Sequence, residues 1–140
     1  MADLQYSVRV RDAQNDALET TIGAACILEV YDGVRPADCA TALAGNTLLA
    51  TGSLPSDWMA ASSSGVKTKA GTWLITGTPA AGGGTAGKFF RVYDSTHTNC
   101  DMQGSFGATG SGSLMTADNN SIAAGQQVQV NTFSITRGNA

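Results

Sequence analysis

One stretch, Gly87 to Phe106 (GKFFRVYDSTHTNCDMQGSF), gathers most of the residues that could carry chemistry. It holds Lys88 behind a glycine run, the only histidine (His97) and one of three cysteines (Cys100). Gly82-Gly83-Gly84-Thr85-Ala86-Gly87-Lys88 fits the spacing G-x-x-x-x-G-K, a loop whose backbone N–H groups can cradle phosphates. Such a loop needs Ser or Thr after the lysine to hold Mg²⁺, and a helix whose N-terminus faces the phosphates. Here Phe89 follows and the run FFRVY is strand-like, so the sequence predicts a flexible hairpin loop over 77–87. His97 stands close to Asp94, Ser95 and Cys100, but a catalytic triad converges from separate parts of a scaffold, and neighbours in one turn diverge. A polar turn whose Asp and Ser bond their own backbone is the better reading. One histidine and three cysteines with no C-x-x-C fall short of a zinc site with four N/S ligands. Asp118-Asn119-Asn120 lacks the spaced acids, the glycine and the distal glutamate of a calcium loop, and reads as a tight turn. No catalytic residue, cofactor or metal ligand is expected, and the chain does not read as an enzyme.

The elements that would position these residues are strands. Around the turn at 94–97, Phe90 and Val92 share one face, and Cys100, Met102 and Phe106 share one after it, at a period of two. Phe89, Arg91 and Tyr93 take the opposite face, which is partly apolar and implies contact with another protein. Further strands are predicted over Cys26–Tyr31 (ending at the turn pair Asp32-Gly33), Thr47–Leu54, Trp58–Ser62, Gly71–Thr76 and Ser113–Thr116, with a long final strand. In that final strand Val128 and Val130 alternate in one phase and Phe133 and Ile135 in the other, which predicts a β-bulge at Asn131-Thr132. Only the first 22 residues look helical. A helix over about 4–21 carries an apolar stripe through Leu4, Val8, Val10, Ala13 and Ala17, with Gly23 as its C-terminal cap. The whole reads as one domain over residues 1–140: an N-terminal helix (1–22) and an all-β, jelly-roll-like antiparallel sandwich of about eight strands (24–140).

Composition narrows the class. The chain has 140 residues, 42% hydrophobic, 6% aromatic and 14% charged, with a net charge of −3. The charged fraction is well below the ~25% usual for a globular domain. Eight scattered basic residues, with Arg9/Arg11 and Lys67/Lys69 as the only close pairs on what reads as solvated surface, do not make a phosphate-binding stripe. No run approaches the ~20 apolar residues of a membrane span, and no apolar leader segment is visible, so synthesis in a reducing cytoplasm with free thiols is expected. Cys26 and Cys100 read as small buried hydrophobes. Trp73 reads as core; Trp58, after Pro55-Ser56-Asp57, is core first and an interface anchor second.

Glu19-Thr-Thr-Ile-Gly23, Leu54-Pro-Ser-Asp-Trp58, Ala70-Gly-Thr-Trp73, Tyr93-Asp-Ser95, Gln103-Gly104 and the ending Val130-Asn-Thr-Phe-Ser-Ile-Thr136 resemble small proteins encoded in the head-gene clusters of tailed bacteriophages. Among these the chain is most similar to jelly-roll cement (decoration) proteins. The resemblance implies a structural virion protein on the outer capsid surface. It would bind the major capsid protein, act as a homodimer or homotrimer, and touch neither nucleic acid nor membrane. The residues expected at the interface are Leu4, Val8 and Arg11 of the helix, Trp58, and the outward-facing Phe89, Arg91 and Tyr93. A competing reading is a tail- or fibre-associated module for host surface carbohydrate, for which Trp58 beside Asp57 is the one candidate site.

Overall fold

A computed structural model describes residues 4–138. Helix α1 (Val8–Ile22) is followed by strands β1 (Ile27–Tyr31), β2 (Leu48–Ser53), β3 (Val66–Thr68), β4 (Trp73–Gly77) and β5 (Thr85–Ala86). Then come β6 (Phe89–Tyr93), β7 (Cys100–Ala108), β8 (Met115–Ala117), β9 (Ser121–Ile122) and β10 (Gln127–Thr136). The fold is all-β with one helix.

The main sheet runs β4-β2-β1-β6-β7-β8, and β10 joins its two ends by pairing with both β4 and β8. The sheet therefore closes on itself as a seven-stranded barrel, where the sequence reading expected two packed sheets. Closure comes from the length of β10. Its residues 127–130 pair with β4, 130–133 with β8 and 134–136 with β3. The predicted bulge is present: register slips between Val130 and Thr132. The slip turns Phe133 inward with Val128 and Val130. All pairings are antiparallel except β7 with β8, which run parallel.

Alternation fills the barrel. Leu28, Val30, Leu49, Trp73, Ile75, Phe90, Val92, Phe106, Met115, Val128, Val130 and Phe133 form its core. The aromatic rings meet as a chain: Trp58 against Trp73, Trp73 against Phe133, and Phe133 edge-on to Phe90, with centroids 5.6–6.0 Å apart. Edge-to-face and tilted pairs at such spacing add stability beyond the area they bury. Gly104, opposite Phe90 in the register, leaves room for that ring, since a Cβ there would stand 2.9 Å from it.

Several expectations need correction. The helix starts at Val8, where the Ser7 hydroxyl accepts from Val10 N, rather than at residue 4. Trp58–Ser62 is not a strand and makes only a bridge, Met59 to Lys69, while β3, β5 and β9 were not foreseen. Residues 77–87 are not a slack loop. They form a 3₁₀ turn at Pro79–Ala81 and then β5, which pairs with β9. Gly77 is packed so closely on the Ala123 carbonyl that no side chain fits there. As expected, Lys88 leads into strand β6 rather than a helix, which removes the anion-binding geometry of a phosphate loop.

Phe90 closes one end of this ring chain, edge-on to Phe133. Phe90→Ala should lower unfolding free energy by about 3–5 kcal/mol. Chemical denaturation measures this, and a loss below about 0.5 kcal/mol would place Phe90 outside the core.

Candidate functional site

Two polar clusters stand out against this apolar barrel. The first lies on the outer face of β1, β6 and β7. Glu29, Arg91 and Gln103 occupy one row across these strands, flanked by Tyr31 and Phe89 on one side and by Tyr93 and Cys100 on the other. All five residues of β6 are buried, which requires cover on both faces. The cover comes from the chain itself. Residues 33–46 contain no helix or strand and form a strap over this row. Arg91 Nη2 donates to the carbonyls of Asp38 (3.1 Å) and Thr41 (2.8 Å), and Gln103 Nε2 donates to Pro36 O (2.8 Å).

The turn between β6 and β7 supplies the rest of the cover. Asp94 accepts from the backbone N–H groups of Thr98 and Asn99, from Thr96 Oγ1 and from Asn99 Nδ2. These bonds, led by that from Thr98, hold its carboxyl down to about 2. His97, at φ 57°, lays its ring on Tyr93 with centroids 4.1 Å apart. Its Nε2 lies 2.7 Å from Glu29 Oε1. The Tyr31 hydroxyl donates to the other oxygen of Glu29. Burial first, and this bond second, push the Tyr31 phenol far up.

A Glu–His pair is half of a nucleophile-activating device, in which a carboxylate orients the ring and the ring takes a proton from a hydroxyl or thiol. The other half is not in place. Among the described residues no hydroxyl or thiol bonds His97, and Thr96 is bonded to Asp94 and Thr98. No group of three His, Cys, Asp or Glu side chains among the described residues is placed to hold a metal ion. The pair instead fastens the 94–99 turn to β1. His97 is a turn residue, as expected; its partner Glu29, 68 positions away, was not foreseen.

The second cluster docks α1. Asp12, Asn15, Asp16 and Glu19 follow the spacing i, i+3, i+4, i+7, so they share one face of the helix. Asp12 accepts from Ser62 Oγ (2.7 Å) and Gly65 N (2.8 Å). Asn15 donates to Ser62 Oγ and Gly65 O, both at 3.0 Å. Lys67, 1% exposed, reaches Asp16 at 2.7 Å, Glu19 at 3.0 Å and the Ala60 carbonyl at 2.8 Å. Arg11 donates to Arg137 O (3.1 Å). The helix is thus held by hydrogen bonds and ion pairs, with Ile22 as its one buried apolar side chain. The expected apolar stripe is not the docking face: Ala13 and Ala17 are exposed and Val10 is half-buried. Lys67, read as solvated, is the most deeply buried cation. An open cleft of about 520 Å³ lies beside this cluster, lined by residues that include Asp16, Glu19, Asp57 and Lys67.

The residues proposed for an interface divide sharply. Leu4 (41%) and Val8 (46%) are exposed. Arg11 is half-buried. Trp58 is fully buried, with its indole N–H on Gly23 O at 3.2 Å, so it belongs to the core beneath the helix. Phe89, Arg91 and Tyr93 are buried under the strap and turn, and in this state present no face to a partner. The apolar character of that face was read correctly; the contact it implied is intramolecular. Glu29, Tyr31 and Asp16 went unseen. For the helix alone a signal existed, in the 3.6-residue period carried by polar side chains. No family model, curated protein or solved structure matches this chain.

The ion cluster makes the helix titratable. The hydrogen bond from Lys67, then the Ser62 N–H, hold Asp16 below its ordinary 3.8. Its contribution is present above that value and is lost as pH falls through the lower, folded one. Burial alone would lower Lys67, but its bonds to Asp16 and Glu19 outweigh this and leave it above 10.5. Its contribution holds below that value and fades as pH rises through the folded one. Lys67→Met, which leaves two carboxylates without their cation, should cost about 3 kcal/mol, the low end for a broken buried pair because Asp16 still reaches water. Urea unfolding would show this, together with a loss of helical circular dichroism below about pH 4 that the variant no longer shares.

Proposed function

We propose that this chain is a non-enzymatic structural protein of a virion: a cement or decoration protein that binds the outside of a tailed-phage capsid. It would tie neighbouring major capsid protein subunits together. In this reading it is made in the bacterial host cytoplasm and resides on the outer capsid surface. It acts there as a homodimer or homotrimer, and kinship with jelly-roll cement proteins is part of the proposal.

The observation that carries the reading is the orientation of α1. A surface helix normally turns its apolar stripe inward and its polar face to water. Here the polar face is bonded to the barrel and the outward face carries Ala13, Ala17, Thr20 and Thr21 together with Arg9, preceded by exposed Leu4 and Val8. Small uncharged side chains let another protein surface approach closely, and they cost little side-chain entropy when covered. The barrel's buried Arg91, Glu29 and Lys67 are all engaged by their own chain, which leaves the weakly charged exterior for contact. Repetition of a modest site over an icosahedral shell supplies avidity without a tight single contact. The carbohydrate-module reading loses its candidate site, because a sugar platform needs an exposed aromatic ring and Trp58 is enclosed.

Purified protein mixed with capsids that lack it should co-pellet to saturation, and density should bridge capsomers in cryo-microscopy. Ala17→Glu, which adds a charge to the outward face, should fold normally and lower co-pelleting at least tenfold. Density confined to the tail, or unchanged pelleting of the variant, would defeat the proposal.

A further inference from the structure

Helix α1 joins the barrel through a short, strained bend. Between Ile22, the last residue of α1, and Ile27, the first of β1, the chain is pinned on both sides. Gly23 N donates to Glu19 O on the helix side, and Cys26 O accepts from Leu54 N on the barrel side, both at 2.9 Å. Ala25 in between is held at φ 56°, a left-handed conformation that its Cβ disfavours. Ala24 and Ala25 are exposed, and Gly23 and Ala24 border the open cleft beside Lys67, so the bend has room to straighten. The groups that receive the helix are matched to it. Lys67 pairs with Asp16 and Glu19, Gly65 bonds Asp12 and Asn15, and the Trp58 indole bonds Gly23 O. A barrel whose helix has left keeps a buried, unpaired lysine, which is costly. Another α1 restores the same bonds.

We propose that α1 is exchanged between two copies of this chain. Each helix docks on the partner's Ser62, Gly65, Lys67 and Arg137, and the straightened bends at residues 23–26 cross between the barrels. The proposal rests on the homodimer of the proposed function and supplies its construction, without needing a capsid. Exchange keeps the bonds of the docked helix, because the same groups meet in the same geometry. What changes is the bend, where two copies of Ala25 relax to extended backbone; short hinges under strain invite such swapping. The contacts are reciprocal, so they close the pair about a two-fold axis and leave no free site to continue a chain. Four extended residues reach about 13 Å, which carries the helix from its own barrel onto one packed beside it.

The test refolds a mixture of isotope-labelled and unlabelled protein from urea at high concentration and separates dimer from monomer by size-exclusion chromatography with light scattering. Each fraction is treated with a carbodiimide, which joins Lys67 to Asp16 or Glu19 as an amide, with loss of water and no spacer. The dimer should yield mixed-isotope links, a labelled helix peptide joined to an unlabelled Lys67 peptide, and the monomer same-isotope links only. Ala25→Gly, which accepts the bend without strain, should raise the dimer's dissociation constant about tenfold. Removing Ala24 and Ala25 shortens the tether so that α1 cannot fold back, and should leave only dimer with native helical circular dichroism. A dimer with same-isotope links alone, or a chain that stays monomeric at every concentration, would overturn the proposal. Mixed-isotope links in a protein that does not co-pellet with capsids would sink the capsid reading and leave the exchange standing. If the shortened chain fails to fold, the isotope pattern of the wild type decides alone.

Discussion

Closure of the barrel rests on one strand. An open sheet of β4, β2, β1, β6, β7 and β8 would leave two rows of unpaired backbone groups, a template for aggregation. β10 removes both by pairing with β4 and with β8, and its last residues capture β3 as well. Three partners along ten residues cannot be served by a regular strand, because alternation would carry Phe133 to the wrong side. The slip between Val130 and Thr132 resolves this conflict. It lets Phe133 join Trp73 and Phe90 in the ring chain while the backbone changes partner.

Once the interior is sealed by rings and branched aliphatics, the polar residues are free to organise the exterior. They do so in two places by the same means: charged groups buried against backbone carbonyls and N–H groups. Arg91 gathers the strap and Lys67 gathers the helix. A buried charge is stabilising only where its bonds are complete. Each cluster therefore fixes one arrangement of its covering segment and makes a partial one expensive. The Glu29–His97 pair belongs to the same class and ties the 94–99 turn to β1.

Local patterns in the sequence were sufficient for the strands that alternate cleanly. β1, β2 and β4 lie close to their expected bounds, β6, β7 and β10 fall where strands were expected, and the bulge in β10 was legible from the change of phase between Val130 and Phe133. Short elements with no phase to read, such as β5 and β9, were invisible because pairing alone defines them. Closure was equally hidden, since nothing local to β10 says that its two edges meet the two ends of one sheet. The polar clusters failed for a different reason. Glu29 and His97, Arg91 and Thr41, Lys67 and Asp16 are far apart in sequence, and a charge in an alternating strand looks the same whether water or a strap covers it. Helix α1 was misjudged by weighing hydrophobicity alone, although Asp12, Asn15, Asp16 and Glu19 carried the helical period throughout.

The docking of α1 also dictates an order of assembly. A fifteen-residue helix is marginal by itself in water, and its anchors are Ser62, Gly65, Lys67 and, at the far end of the described chain, Arg137. The segment that leaves the ribosome earlier than the barrel thus has nothing to bind until β3 and the residues after β10 exist. An element that precedes the barrel in the chain is secured after it. Until then its polar face is fully hydrated, which keeps the nascent N-terminal segment from offering an adhesive apolar surface while the strands are still finding their register.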